Sequence, residues 1–169
     1  MFRDLFFDFD GTLADSSEGI YESFKISCFK LNLEPIPIYK FKKFIGPPIS
    51  KILRNIYPNL SANQISDFKD YFRFDYDNKN FQLIDWYPGV QKGLNIFASS
   101  GKFKSINIIT NKPTNPTISL LKSANLELIF NNIYGIDYKS VRQISTKSFI
   151  DKRDAIKFAL QSQKIETSN

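Results

Sequence analysis

The sequence predicts an α/β fold with parallel strands and a helical block inserted directly after the first strand. Three observations carry this. A short apolar run, Leu5 to Phe9, ends among acid residues. Residues 15–82 then show helical spacing throughout, and from Trp86 onward helix and strand patterns alternate.

The run Leu5 to Phe9 suits a buried parallel strand, broken by Asp10-Gly11. A helix is expected from Ser16, where Asp15 and Glu18 stand at capping-box spacing and Ile20, Phe24, Cys28 and Leu31 line one face. Pro35 and Pro37 are expected to end that segment. Residues 38–44 read as helical up to Gly46-Pro47-Pro48, and Ile49 to Ile56 as a short helix closed by Pro58. A longer helix is expected from Ser61 to Asp77, with Ile65, Phe68 and Phe72 at helical spacing.

After Trp86-Tyr87-Pro88-Gly89 the pattern predicts a helix over 89–98, with Val90, Leu94 and Phe97 inward. A strand follows at Ser105 to Thr110, then a helix through Leu120 and Leu121 to Ala124 and a third strand at Asn132 to Gly135. Residues 136–150 lack a clear period. Asp151 to Gln161 reads as a helix with Ala155, Ile156, Ala159 and Leu160 on one side, and the last eight residues as a frayed polar end. The domain organisation expected is therefore an α/β core from 1–14 and 83–169, with 15–82 as a helical insertion.

Composition narrows the chemistry. The chain has 169 residues, 42% hydrophobic and 24% charged, which suits one globular domain with a modest insertion. No run of about 18 apolar residues predicts a membrane span. Arg3, Asp4, Asp8 and Asp10 interrupt the N-terminal apolar stretch, which does not read as a signal sequence. Cys28 is the single cysteine and has no internal partner for a disulfide, so a reduced, cytoplasmic setting is expected. The net charge is +6, but the 18 lysines are scattered, so nucleic acid is not the expected partner. With no histidine in the chain, histidine triads and histidine metal sites are excluded, and catalysis would rest on Asp, Glu, Lys, Ser, Thr, Tyr or Cys.

The acid pair after the first strand points to chemistry. Ligands of open α/β folds collect at the carboxyl ends of the strands, where Asp8 and Asp10 are expected. Their spacing of two puts both side chains on one side of an extended chain. Two close carboxylates repel unless a cation or a shared proton relieves them, and oxygen-only ligands favour Mg²⁺. Gly11 permits a sharp turn, Thr12 can hold it by hydrogen bonding, and a carboxylate beside a cation is a competent nucleophile toward phosphorus. At roughly one residue in twenty for each fixed position, Asp-x-Asp-Gly-Thr arises by chance in about one chain per thousand of this size. A calcium loop is excluded, because Gly19 stands where its twelfth-position Glu would be.

The stretch FFDFDGTLADS (residues 6–16) resembles the first motif of the haloacid dehalogenase superfamily, in particular its phosphoglycolate phosphatase-like branch. That resemblance implies a Rossmann-like core and a Mg²⁺-dependent phosphomonoesterase. Asp8 would be the nucleophile and Asp10 the general acid/base. Mg²⁺ would sit on the Asp8 carboxylate and the Asp10 backbone carbonyl. Thr110-Asn111-Lys112-Pro113 resembles the second motif, so Gly11, Thr12, Thr110, Asn111 and Lys112 form the expected phosphate-binding set. Lys152, in FIDKRDAIKFAL, is the expected third-motif lysine, with Lys147 the second candidate. The helical block 15–82 resembles the small cap that closes over a phosphorylated metabolite.

The family's fourth motif, Gly-Asp-x-x-x-Asp after another strand, has no counterpart before Asn169. The resemblance therefore implies an incomplete core, missing metal ligands and an exposed edge on the Asp8 strand that invites self-association. The alternative function is a catalytically impaired relative that binds phosphate compounds or a protein partner. A phosphosugar mutase or a pyrophosphatase is a related enzyme reading.

Overall fold

The computed structural model describes residues 3–137, Phe149 and 152–166. Its chain forms two compact units, Met1–Ala14 with Trp86–Asn169, and Asp15–Asp85.

The first unit is built on a three-stranded parallel sheet in the order β1 (Arg3–Phe7), β4 (Phe103–Ile109), β5 (Asn132–Tyr134). Leu5 lies opposite Ile106 and Phe7 opposite Ile108, while Ile108 lies opposite Ile133. This register puts the carboxyl ends of β1 and β4 side by side, so the residues that follow each strand emerge together. The central strand β4 is the driest, with Ile106 to Ile109 buried. Asn107 among them is fully buried and satisfied. Its amide donates to the Leu5 carbonyl (3.2 Å) and to Ser105 Oγ (2.6 Å), and accepts from Asn132 (3.0 Å). β1 is half-buried and, among the described residues, pairs along one edge only. Two short strands, β2 (Ala14–Asp15) and β3 (Asp85–Trp86), pair with each other where the chain passes between the units.

Helices α5 (Val90–Ser99), α6 (Thr114–Ser123) and α7 (Lys152–Glu166) belong to this unit. In α5 Leu94 is buried as expected. Phe97 stays 39% exposed while meeting Phe7 at 6.1 Å and Phe103 at 5.7 Å between ring centroids. In α7 the buried row is Ala155 and Ala159, which pack with Ile109, Tyr134 and Phe149. Ile156 and Leu160, expected on that face, are exposed. Two alanines at i, i+4 let the helix approach closely, and Phe158 fills the flank against Phe149. The helix runs to Glu166, beyond the expected end at Gln161.

The second unit is helical: α1 (Ser17–Lys30), α2 (Ile38–Phe41) running into a 3₁₀ turn at Lys42–Phe44, α3 (Ile49–Ile56) and α4 (Ala62–Asn78). Its core is aromatic. Phe24, Phe41 and Phe68 are fully buried, and Cys28 lies with them. Burial pushes the Cys28 thiol up to about 11.

Two local expectations are corrected here. Asp15 and Glu18 form no capping box. Ser16 is the N-cap residue, and Asp15 Oδ1 instead accepts the Ser17 N–H at 2.9 Å, which with the Ser17 hydroxyl lowers the Asp15 pKa. The prolines do not end α1. It stops at Lys30 through Asn32 at φ 53, with Leu33 N–H bonded to the Cys28 carbonyl (2.9 Å) and Asn32 N–H to Phe29 (3.2 Å), a Schellman closure. Asn125 (φ 56) ends α6 in the same way.

Ser61 opens α4 with a full capping box: its hydroxyl accepts from Gln64 N–H, and Gln64 Oε1 accepts from Ser61 N–H. Ser61→Ala is expected to cost about 1 kcal/mol, read from the urea midpoint at unchanged slope.

Candidate active site

The site lies within the first unit, at the carboxyl ends of β1 and β4. After Phe7 the chain leaves the sheet through a tight turn. The Phe9 carbonyl accepts the N–H groups of Thr12 (3.2 Å), Leu13 (2.9 Å) and Ala14 (3.3 Å), and Gly11 N–H bonds the Ala14 carbonyl (2.9 Å). Gly11 has φ 78, a conformation that disfavours any side chain. Thr12, expected to hold this turn through its hydroxyl, is exposed, and the Phe9 carbonyl supplies the hold. Phe9 anchors the turn by being fully buried in a T-shaped contact with Trp86, 5.6 Å between centroids.

Asp8 and Asp10 flank Phe9 and are each partly exposed. Asp8 Oδ1 accepts the N–H of Phe9 at 2.9 Å, and Asp8 Oδ2 pairs with Lys152 Nζ. Asp10 Oδ1 receives Lys112 Nζ at 3.2 Å. Each carboxylate of the motif thus faces a lysine delivered by a different element, one after β4 and one from α7.

The loop after β4 is held from several sides. Thr110 is buried, and its N–H bonds the Tyr134 carbonyl at 3.0 Å. Its hydroxyl oxygen accepts Lys112 N–H at 3.1 Å, which leaves the hydroxyl hydrogen to donate elsewhere. The Lys112 carbonyl accepts from Ile136 N–H (3.3 Å), and Thr114 N–H bonds Asp137 Oδ1 (2.6 Å). A Cβ on Gly135 would come within 2.6 Å of Thr114 N and 2.7 Å of the Lys112 carbonyl, so only glycine lets β5 close on this loop. Gly135 and Asp137 are supports that the sequence reading missed. The turn-like Gly135-Ile136-Asp137 after a strand is the signal that marks them.

Asn111 has a function in the fold that its sequence position did not reveal. Its side-chain oxygen accepts the backbone N–H of Lys152 at 3.0 Å, capping the first turn of α7 from a loop 41 residues away. Asn111→Ala is expected to cost about 1 kcal/mol, measured by thermal or urea unfolding. Of the two candidate third-motif lysines, Lys152 reaches Asp8, while Lys147 lies outside the described residues.

Metal binding can be tested against the donors present. No group of three or more His, Cys, Asp or Glu side chains that could hold a metal occurs among the described residues. Two carboxylates with oxygen-only chemistry fit Mg²⁺, which commonly takes one or two carboxylates and completes its shell with water and phosphate oxygens. No helix among the described residues is long and apolar enough to cross a membrane.

Comparison with known proteins bears on this arrangement. The curated relatives include a 5'-nucleotidase of Pseudomonas aeruginosa, 25% identical over 146 residues that cover 83% of this chain and 62% of that protein. A phosphoglycolate phosphatase of Neisseria meningitidis is 26% identical over 78% of this chain and 57% of its own. The chain therefore spans about three fifths of the length of these relatives. Among solved structures, a predicted phosphatase from Clostridium acetobutylicum superposes with a TM-score of 0.79 at 28% identity, covering 97% of this chain and 71% of its own. The model of the haloacid dehalogenase-like hydrolase family matches residues 5–166, and with nearly the whole chain matched, this protein belongs to that family.

Proposed function

We propose that this chain carries the phosphoryl-transfer site of a Mg²⁺-dependent phosphatase that hydrolyses a small phosphomonoester, of the phosphoglycolate type, through an aspartyl-phosphate. The observation that carries the reading is the pairing of Asp8 with Lys152 and of Asp10 with Lys112 at the carboxyl ends of adjacent parallel strands. Relatives named for hydrolysing two different phosphomonoesters support the reaction class.

In this reading an Asp8 carboxylate oxygen bonds to phosphorus as the phosphorus–oxygen bond to the leaving alcohol breaks, and the leaving oxygen takes the proton of Asp10. Asp10, now a carboxylate, takes a proton from water while the water oxygen bonds to phosphorus. The bond to Asp8 breaks, freeing inorganic phosphate and restoring both side chains. Lys152 neutralises charge on Asp8 and on the phosphoryl group. The Thr110 hydroxyl and Asn111 N–H donate to its oxygens, with Gly11 and Thr12 shaping the turn beneath. Asp8 and Asp10 would hold Mg²⁺, which when bound offsets the phosphate charge. The Asp15–Asp85 unit serves as the substrate-selecting cap, and a single buried thiol suits a cytoplasmic setting.

The test is Mg²⁺-dependent phosphate release from a panel of phosphomonoesters, with Asp8→Asn as the background. Turnover above that background supports the phosphatase. Folded protein without it leaves the second reading, a phosphate- or partner-binding relative, which the β1 edge left unpaired among the described residues favours.

A further inference from the structure

We propose that Asn107 is the residue that fixes the register of β1 on β4, and that it thereby positions the Asp8–Asp10 turn against the Thr110–Lys112 loop. The register is a property of the sheet alone. Its consequence for catalysis rests on the phosphatase reading above, in which the two strand ends must lie level.

Apolar patterning barely decides how these strands pair. Leu5, Phe6 and Phe7 in β1 and Ile106, Ile108 and Ile109 in β4 offer hydrophobic side chains to both faces, so a slip of one residue still buries them. The observed pairing is also the irregular one. Arg3 lies opposite Phe103 but Asp4 lies opposite Ser105, so Lys104 is an extra residue, a bulge. Regular pairing onward from Arg3 would set Lys104 opposite Asp4, an oppositely charged pair that by itself favours the slip. It would also set Asn107 opposite Phe7, and the Asp8–Asp10 turn would sit about 3.3 Å along from its present level. A displacement of that size would break the 3.2 Å pair of Lys112 with Asp10.

Asn107 opposes the slip. Its side chain is fully buried and holds both neighbouring strands at once. Nδ2 donates to the Leu5 carbonyl of β1 (3.2 Å) and to Ser105 Oγ (2.6 Å), and Oδ1 accepts from Asn132 of β5 (3.0 Å). Ser105 Oγ carries the link on to Asp4 Oδ1 at 2.6 Å. A polar row therefore crosses three strands, from Asp4 through Ser105 and Asn107 to Asn132, and it exists only in the bulged register. In regular pairing the amide would turn to the face where Phe7 meets Phe97, 6.1 Å between centroids, away from the Leu5 carbonyl. A buried amide without partners is strongly disfavoured, which outweighs an ion pair exposed to water.

Deleting Lys104 separates register from mere support, because it makes the regular pairing and the native register the same. Phe103 meets Phe97 on the α5 side of the sheet, while Ser105 joins Asn107 on the other, so the deletion leaves them alternating as strand neighbours do. Asn107→Leu keeps a branched side chain without the hydrogen bonds. In that variant, cross-strand backbone NOEs that place Phe7 level with position 107 are expected to become the main set, in place of those that place Phe6 there. Phosphate release should fall by about tenfold, in step with the lost native register. Removing Lys104 from the same variant should abolish the slipped set and return activity to within about threefold of the unsubstituted chain. A single native set of NOEs in Asn107→Leu would overturn the proposal, as would a loss of activity that the deletion does not rescue. Should Asn107→Leu not fold, the deletion is expected to restore folding, and failure of both variants to fold would overturn the proposal in favour of a purely structural amide. Absence of turnover in the unsubstituted chain would count against the phosphatase reading, a distinct result, while the NOEs still decide the register.

Discussion

Asp8→Asn is expected to lower Mg²⁺-dependent phosphate release by on the order of a thousandfold or more while leaving the protein folded. The amide keeps the shape and size of the carboxylate but lacks the charged oxygen that bonds to phosphorus in the proposed mechanism. The structure indicates why folding survives. Asp8 Oδ1 accepts the Phe9 N–H, a bond that an amide oxygen can also accept. The pair with Lys152 is about one third exposed on each side (33% and 29%), so water screens it and its loss should cost at most about 1 kcal/mol. Phosphate release followed alongside a thermal melt checks both halves. A variant that retains more than about a tenth of the activity would remove Asp8 as the nucleophile, because positioning and electrostatics alone do not replace a covalent step at that level.

Phe24→Ala is expected to destabilise the helical unit by about 3–5 kcal/mol. Phe24 is fully buried, and its ring lies 4.3 Å from Phe41, 5.7 Å from Phe68, 6.2 Å from Tyr21 and 6.3 Å from Tyr57, centre to centre. Truncation removes several aromatic contacts at once and leaves a cavity among rigid rings that close on it poorly. Against a typical domain stability of about 5–15 kcal/mol, the loss would populate open forms at ambient temperature. Cys28, one helical turn along α1, reports this directly. Its buried thiol, with a pKa pushed up to about 11, should resist a thiol reagent at pH 8 in the native protein and react in the variant. A urea-midpoint change worth less than about 1 kcal/mol would show that the aromatic cluster repacks around the gap.

How far the sequence reveals this protein depends on the range over which each feature is decided. Strand β1, the turn at Gly11 and the helices α3 and α4 follow from spacing within a dozen residues; α3 occupies its expected bounds, and β1 and α4 lie within two residues of theirs. The end of α1 was written locally too, in Asn32, but the prolines a few residues on gave a louder signal for the same event. The buried face of α7 was not local. Its alternation of alanines with Ile156 and Leu160 allows more than one face, and contact with Tyr134 and Phe149 selects the alanines.

The candidate site divides along the same line. The sequence alone determined which residue types the candidate site offers: two carboxylates after an apolar strand, a threonine and an asparagine after the next, lysines nearby and no histidine anywhere. Those are properties of residue type and short spacing. Only the tertiary structure decided which lysine meets which aspartate, since Lys112 and Asp10 are 102 residues apart and Lys152 and Asp8 are 144 apart. The parallel register of β1 on β4 brings the two strand ends together, and the Asn111 cap holds α7 beside them. Burial of one ammonium and exposure of the other follows from that packing, because desolvation depends on what surrounds a charge in space.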